Sequence, residues 1–297
     1  MTMTTPLPAL GRVVLRFSAF TTDPGGGGPA GVVLDAAGLD DRAMTAIAAE
    51  LGYLETAFLT RPPRWVGEPG RTHAVRYFSP KGEVPFCGRA TLAAAAALAE
   101  GGARGRPLEF ATQVGRVAAV AGTGPGGLPR ATFTSVEPYV QEISPSYLAE
   151  ALRALGWSPA DLDPALPPFV GYAGARYLIL AAATRERLSP LDYDFDRLAA
   201  YLVPRDLAGV QLVWRAAPDA FHVRSAAPPR GALEDPASGA AAAAFGAYLR
   251  RLGAVPAVGR VTLRQGEDLE RAATLHVELR AGDPRVHVSG TVVPIRT

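Results

Sequence analysis

The chain has 297 residues, 30 basic against 28 acidic, a formal net charge of +2, and 48% hydrophobic residues. Its basic residues are scattered, which argues against a nucleic-acid surface, and no uninterrupted apolar run is long enough to span a bilayer. A single cysteine, Cys87, excludes an intramolecular disulfide, and a single lysine, Lys81, leaves one position for Schiff-base chemistry, which makes pyridoxal chemistry a poor fit.

Residues 1–10 carry neither a basic leader region nor a long apolar stretch, so no signal peptide is expected and a soluble cytoplasmic protein is. Pro6 and Pro8 predict a loose tail. Val13, Leu15 and Phe17 alternate with Val14, Arg16 and Ser18 and predict a strand. The run Gly25-Gly26-Gly27-Gly28-Pro29 predicts a turn. It leads into a strand over residues 30–34 and not into a helix, which argues against a phosphate loop. Asp40 is placed to cap a helix with Met44, Ile47, Ala48 and Leu51 on one face, and Gly52 to end it. An apolar run over 54–59 is interrupted by Glu55 and Thr56. Residues 76–79 predict a strand, 80–82 a turn, and a small-residue helix follows. Strands are predicted over 117–120 and 130–134, separated by the glycine-rich 122–127. In the second half, strands are predicted over 177–180, 210–214, 221–225, 261–263, 274–279 and 285–288, with a short helix over 195–202 and a second small-residue helix after 234. Short strands with few, irregularly spaced helices argue for an α+β protein and against a doubly wound parallel sheet.

The two small-residue helices are related. Residues 83–102 and 234–253 align at an offset of 151: Glu83, Pro85, Gly88 and Ala90 fall on Glu234, Pro236, Gly239 and Ala241, and Leu98 and Gly102 on Leu249 and Gly253. A repeated turn that opens a helix predicts two pseudo-symmetric halves: 1–125 with a central helix over 88–101, and 126–297 with one over 238–252. The boundary falls near 122–127, with the last strand able to cross back to the first half. A helix N-terminus presents free N–H groups and partial positive charge, so two such starts facing one cleft would suit an anion.

Several residues in and around these segments are candidates for chemistry. Glu55, in an apolar run, is a candidate acid–base, since burial in apolar surroundings brings a carboxyl toward neutral titration; the plain alternative is a solvated edge-strand carboxylate. Asp235 precedes Pro236 and either caps the following helix or reaches a ligand. Glu234 is similar but less specific. Cys87 and Gly88 sit at the first helix start, where a thiol is activated, or else is simply small and buried. The matching position to Cys87 is Ser238, so a two-thiol racemase lacks its second thiol. Arg89 either faces solvent or grips a carboxylate. His73, His222, His276 and His287 lie far apart in sequence, and no metal-ligand spacing is present.

Five ordered segments resemble the PhzF-like family, relatives of the phenazine-biosynthesis isomerase with the diaminopimelate epimerase fold. Gly27-Gly28-Pro29-Ala30-Gly31-Val32-Val33-Leu34-Asp35 resembles GNPAGVVLD, and Leu54-Glu55-Thr56-Ala57-Phe58 resembles SETAF. Residues 83–91 resemble EVPFCGHAT and residues 234–241 resemble EDPVTGSA. Gln265-Gly266 with Arg271 is similar to a degraded QGxxxGRPS. The resemblance implies two halves, each a bent, mostly antiparallel sheet wrapped around a central helix, with the active site in the cleft between them. It also implies a homodimer that uses no metal or organic cofactor. Glu55 matches the family's catalytic acid–base, and backbone amides near Gly88 and Gly239 would hold a substrate carboxylate. The chain departs from the pattern at Gly28 for Asn, Leu54 for Ser, Arg89 for His, Ala240 for Ser, and over 270–273.

The implied function is an isomerase or epimerase that moves a proton on a small carboxylate-bearing substrate. In it Glu55 is the acid–base, Asp235 orients the substrate or shares the proton, and Cys87, Gly88, Arg89, Ser238, Gly239 and Ala240 contribute to binding. The alternative is a non-catalytic small-molecule-binding protein, or an enzyme of another reaction class, on the same scaffold.

Overall fold

A computed structural model describes residues 5–7, 11–62, 68 and 70–296. The chain forms two compact units: Met1–Val136 with His287–Thr297, and Glu137–Val286. Strands and helices are mixed in both, an α+β arrangement.

The first unit runs β1 (Thr5–Leu7), β2 (Arg12–Ala19), β3 (Gly28–Val33), α1 (Asp41–Leu51), β4 (Thr56–Thr60), β5 (Thr72–Ser79), β6 (Gly82–Val84), α2 (Gly88–Leu98), β7 (Leu108–Thr112), β8 (Gly115–Thr123) and β9 (Pro129–Thr134). Neighbours pair antiparallel except at two steps, β3 with β4 and β5 with β7, which are parallel. A parallel step needs a crossover, and α1 and α2 supply them. In α1 the Asp40 carboxylate accepts the Ala43 N–H at 2.8 Å, and Gly52 closes the helix in the left-handed region at φ 67°. The second crossover is unusual in composition. From Gly88 to Ala97 every residue of α2 is buried, and the helix meets β2, β3, β4, β8 and β9. A helix of alanines has the intrinsic propensity to form and is thin enough for strands to close on several sides. It ends at Leu98, short of the expected residue 101, in a π-helical turn where Gly102 takes φ 109°.

The second unit runs β10 (Tyr139–Glu142), α3 (Pro145–Leu155), β11 (Phe169–Tyr172), β12 (Arg176–Ala181), α4 (Arg185–Leu188), α5 (Phe195–Leu202), β13 (Gly209–Ala217), β14 (Ala220–Ala227), β15 (Ala232–Glu234), α6 (Gly239–Leu252), β16 (Gly259–Gln265) and β17 (Ala273–Arg280). Here the parallel steps are β12 with β13 and β14 with β16; the other pairings are antiparallel. Helix α6 is buried from Gly239 to Leu249 against β10, β11, β12 and β17. On the opposite face of the sheet, Leu178, Leu180 and Leu212 pack with Leu152 and Leu155 of α3 and Leu198 and Leu202 of α5. Strand β12 separates two environments by alternation. Its even-numbered leucines meet α3 and α5, whereas Tyr177 reaches Ser238 at the start of α6.

A final strand, β18 (Asp283–Pro294), leaves the second unit. Its residues 287–291 pair with β9 and 292–294 with β2. The glycine-rich 122–127 segment, expected to mark the boundary between halves, is instead the hairpin between β8 and β9, closed by Gly124 N–H to Leu128 O at 2.7 Å; the division falls after Val136. Of the expected loose tail, Thr5–Leu7 pairs with β2, and residues 1–4 and 8–10 lie outside the described residues. Helix α3 was not expected, although Ser144 caps it, Pro145 opens it and Gly156 ends it. Among the described residues no helix is long and apolar enough to cross a membrane.

Candidate active site

In the first unit the site is built where β4 begins and α2 begins. Glu55 is the residue before β4, a strand flanked by β3 and β5 and therefore buried on both edges. The Glu55 side chain is 0% exposed and that of Arg89 is 1% exposed. Arg89 donates from Nε to Glu55 Oε2 at 3.1 Å and from Nη2 to the same oxygen. The Cys87 thiol donates to that oxygen as well, at 3.3 Å.

This geometry corrects two expectations. Glu55 is buried, but in a charged setting and not an apolar one. A lone buried carboxylate is too costly to keep ionised, whereas one beside a guanidinium that never loses its proton is held in the carboxylate form. Arg89, expected to grip a ligand's carboxylate, is instead the counter-ion of Glu55. Cys87 is less suited to act as a thiolate, because its hydrogen faces a negative charge.

Behind this cluster the helix start is fixed by neutral contacts. Thr91 Oγ1 donates to the Cys87 carbonyl at 2.7 Å and lies 2.7 Å from Tyr77 Oη of β5. Burial pushes the Tyr77 phenol well above its ordinary range, so it remains a neutral hydrogen-bonding group. Its ring meets Phe86 edge-on at 5.9 Å. Gly27, in the segment that resembles GNP, sits at φ +55°, and a Cβ there would lie 2.3 Å from the Ala19 carbonyl oxygen. Only glycine fits that approach.

In the second unit the corresponding turn is held by different groups. Asp235 is 1% exposed; its Oδ1 accepts the Ala237 N–H at 3.0 Å and its Oδ2 accepts from Arg230 Nη1 at 3.1 Å. Asp235 thus closes a turn and pairs with Arg230, and it does not cap α6. Ser238 is the cap, accepting from Ala241 N–H at 3.4 Å, with Tyr177 Oη 3.3 Å away. Arg230 also donates to Tyr177 Oη. Gln265 clamps the turn from β16: its Nε2 donates to the Asp235 carbonyl at 2.7 Å and its Oε1 accepts from Ser238 N–H at 3.2 Å. The next residue, Gly266, lies at φ +74°, and a Cβ there would fall 2.7 Å from the Pro236 carbonyl oxygen. Gly88, Gly239 and Ala240 are all buried at their helix starts.

The repeated glutamates are structural. Glu83 is held bidentately by Arg76, at 2.7 and 2.5 Å, across the β5–β6 hairpin. Glu234 accepts from Arg224 Nε at 3.1 Å and from its Nη2 across β14–β15. Burial pushes the Glu234 carboxyl upward, opposed by that pairing. Arg76, Arg224, Arg230 and Tyr177 were not singled out from sequence: the first two reach Glu83 and Glu234 across hairpins, Arg230 reaches Asp235 through the turn before β15, and Tyr177 reaches Ser238 from β12. Lys81 lies exposed in the β5–β6 turn. Three histidines have separate local partners: His222 contacts Glu267, His276 contacts Thr262 and His287 contacts Thr134. Among the described residues no three His, Cys, Asp or Glu cluster as metal ligands would.

A family model described as phenazine biosynthesis-like protein matches residues 17–297. An uncharacterised isomerase of Deinococcus radiodurans is 35% identical over 278 residues, covering 91% of this chain and 87% of the relative. The trans-2,3-dihydro-3-hydroxyanthranilate isomerase of Pseudomonas chlororaphis is 30% identical over 285 residues, covering 93% and 94%. The solved structure of a predicted epimerase from Pseudomonas aeruginosa matches with a TM-score of 0.82 at 29% identity, covering 96% and 97%. The chain therefore belongs to the PhzF phenazine biosynthesis-like family, whose matched relatives include proteins named as isomerases.

Proposed function

We propose that this protein is an isomerase or epimerase that moves a proton on a small carboxylate-bearing substrate by general acid–base catalysis, with Glu55 as the proton carrier. The observation that supports it most is the buried, ion-paired Glu55 at the start of β4, at the position that resembles the family's acid–base. Beside Arg89 the carboxylate is the resting form, so the first step is abstraction of a proton from substrate carbon by Glu55. As Glu55 becomes neutral its hold on Arg89 weakens. The guanidinium, already in place, then offsets the negative charge left on the substrate. The same pairing disfavours the protonated form of Glu55, which drives return of the proton to carbon. One group takes and returns one proton, and no redox change is involved. Asp235 is assigned the orienting role, and the amides near Gly88 and Gly239 the substrate carboxylate.

We further infer that the two units are pseudo-equivalent. In each, two parallel steps bridged by helices interrupt an otherwise antiparallel order, and the second crossover is a buried small-residue helix preceded by an Arg-clamped Glu.

The test is solvent exchange. In deuterated buffer the wild-type protein should place deuterium at a carbon of trans-2,3-dihydro-3-hydroxyanthranilate or of another small carboxylate in a panel, and Glu55→Gln should not. A second reading, a binding protein or an enzyme of another class, is favoured by one observation: Arg89 stands where the family pattern has His and occupies Glu55. Saturable binding of a panel member with no label would support that reading and count against the first.

A further inference from the structure

We propose that Tyr177 and Arg230 are positioning residues for the substrate-binding start of α6, the second unit's counterparts of Glu55 and Arg89, with a phenol in place of the proton-carrying carboxylate. The assignment deepens the reading of Glu55 as proton carrier and rests on it. Strand register locates the counterparts. Arg76, which clamps Glu83, lies opposite Phe58 of β4, and Arg224, which clamps Glu234, lies opposite Leu212 of β13. Counting back three residues from Phe58 and from Leu212 reaches Glu55 and Gly209. Glu55 therefore has no side-chain counterpart on β13, and none fits: a Cβ at Gly209 would fall 2.5 Å from the Ala226 carbonyl oxygen. The neighbouring strand supplies one instead. Tyr177 of β12 lies directly opposite Gly209, while in the first unit the register of Gly31 with Thr56, carried back one residue, sets the small Ala30 beside Glu55. The large side chain and the small one have exchanged strands.

In both units an oxygen reaches the residue that opens the buried helix, and an arginine donates to that oxygen. Glu55 Oε2 accepts the Cys87 thiol at 3.3 Å and two donations from Arg89. Tyr177 Oη lies 3.3 Å from Ser238 Oγ and accepts from Arg230 Nη2. The chemistry differs. A carboxylate can take a proton from carbon at neutral pH, whereas a phenol, with an ordinary pKa of about 10, is a hydrogen-bonding group there. Tyr177 is buried, and it acts through Ser238, the cap of α6. The two units therefore divide the work: proton transfer in the first, a held helix start in the second.

Arg230 is built to serve two partners at once. It ends a short 3-10 turn, Pro228–Arg230, that Gly231 closes at φ 80°, and the two prolines leave that turn little freedom. Its planar fork gives Nη1 to Asp235 Oδ2 at 3.1 Å and Nη2 to Tyr177 Oη. Asp235 Oδ1 holds the Ala237 N–H and Ser238 Oγ holds the Ala241 N–H. One guanidinium thus ties the Asp235 end of the turn and, through Tyr177, its Ser238 end to β12. Loosening that turn weakens the hold on substrate and on transition state alike, so KM rises while kcat stays.

The experiment is the rate of deuterium incorporation against substrate concentration, for a carboxylate that wild type labels, in variants shown to be folded by circular dichroism. Tyr177→Phe, which removes one oxygen and keeps the ring, should raise KM about tenfold, and Arg230→Met roughly 10- to 100-fold, the scale of a hydrogen bond to a charged group, each with kcat unchanged. The double variant should be no worse than Arg230→Met, because the hydroxyl and the guanidinium act as one unit. Arg230→Lys keeps the charge without the fork and should not restore the wild-type KM. The proposal is overturned if KM stays at the wild-type value in Tyr177→Phe and Arg230→Met, if the two effects add, or if Arg230→Lys behaves as wild type. It is also overturned if Tyr177→Phe lowers kcat at constant KM, as loss of a proton carrier or of folded protein would. A wild type that labels no carboxylate refutes the proton-transfer reading and the pair with it; label with an unmoved KM in the variants refutes the pair alone.

Discussion

Arg89 places two hydrogen bonds on a single oxygen of Glu55, and neither side chain reaches solvent. A buried pair of this kind is weak evidence for net stabilisation, yet breaking it from one side strands a buried charge.

The first prediction concerns that asymmetry. Arg89→Met should destabilise the protein by about 3–5 kcal/mol, whereas Glu55→Gln with Arg89→Met should recover much of the loss. Urea unfolding of the two single variants and the double variant measures the coupling. Additive losses would mean that the two groups do not depend on one another.

A second prediction concerns pH. The fixed charge of Arg89 favours ionised Glu55, so proton exchange by wild type should persist into acid. In Arg89→Gln the counter-charge is gone and burial remains, so the acidic limb of the rate profile should move to higher pH. An unmoved limb would take Arg89 out of the protonation equilibrium of the base.

His73, on β5, is half-buried, and its Nε2 has no hydrogen-bond partner among the described residues. Desolvation holds its imidazole below the ordinary value of 6.5. A group depressed in the folded state contributes stability that is present above its unfolded value and is lost as pH falls through the folded one. Stability should therefore fall on acidification below 6.5, and His73→Phe, which suits the nearby Phe110 ring 6.2 Å away, should flatten that slope. Thermal melts of both proteins across that range decide it.

Glu270 occupies the left-handed region at φ 56°, where the similar family segment has glycine. Its side chain is exposed. Relief of the backbone strain outweighs the greater freedom of glycine in the unfolded chain, so Glu270→Gly should stabilise by roughly 0.5–1 kcal/mol. An unchanged or lower midpoint in urea would show that Glu270 makes a compensating contact.

Much of the scaffold was legible because its signals are local. Asp40 and Gly52 bound α1, and the Glu, Pro and Gly of the repeat mark both buried helices within a residue or two of their observed starts. Helix α3 carries equally local signals, Ser144 as its cap, Pro145 in its first turn and Gly156 at its end. The membership of the site was legible and its wiring was not. Glu55 and Arg89 each stood out, but they are 34 residues apart, and only the crossover from β4 through β5 to α2 brings one onto the other. The same holds for Tyr177, which reaches Ser238 from 61 residues away, whereas Arg230 lies only five residues before Asp235 and still carries no sequence signature.

The most direct measurement is deuterium incorporation at carbon, in deuterated buffer, across a panel of small carboxylates that includes trans-2,3-dihydro-3-hydroxyanthranilate. Wild type should take up label, and a folded Glu55→Gln should show none above background. Label that forms as fast in Glu55→Gln as in wild type would contradict it.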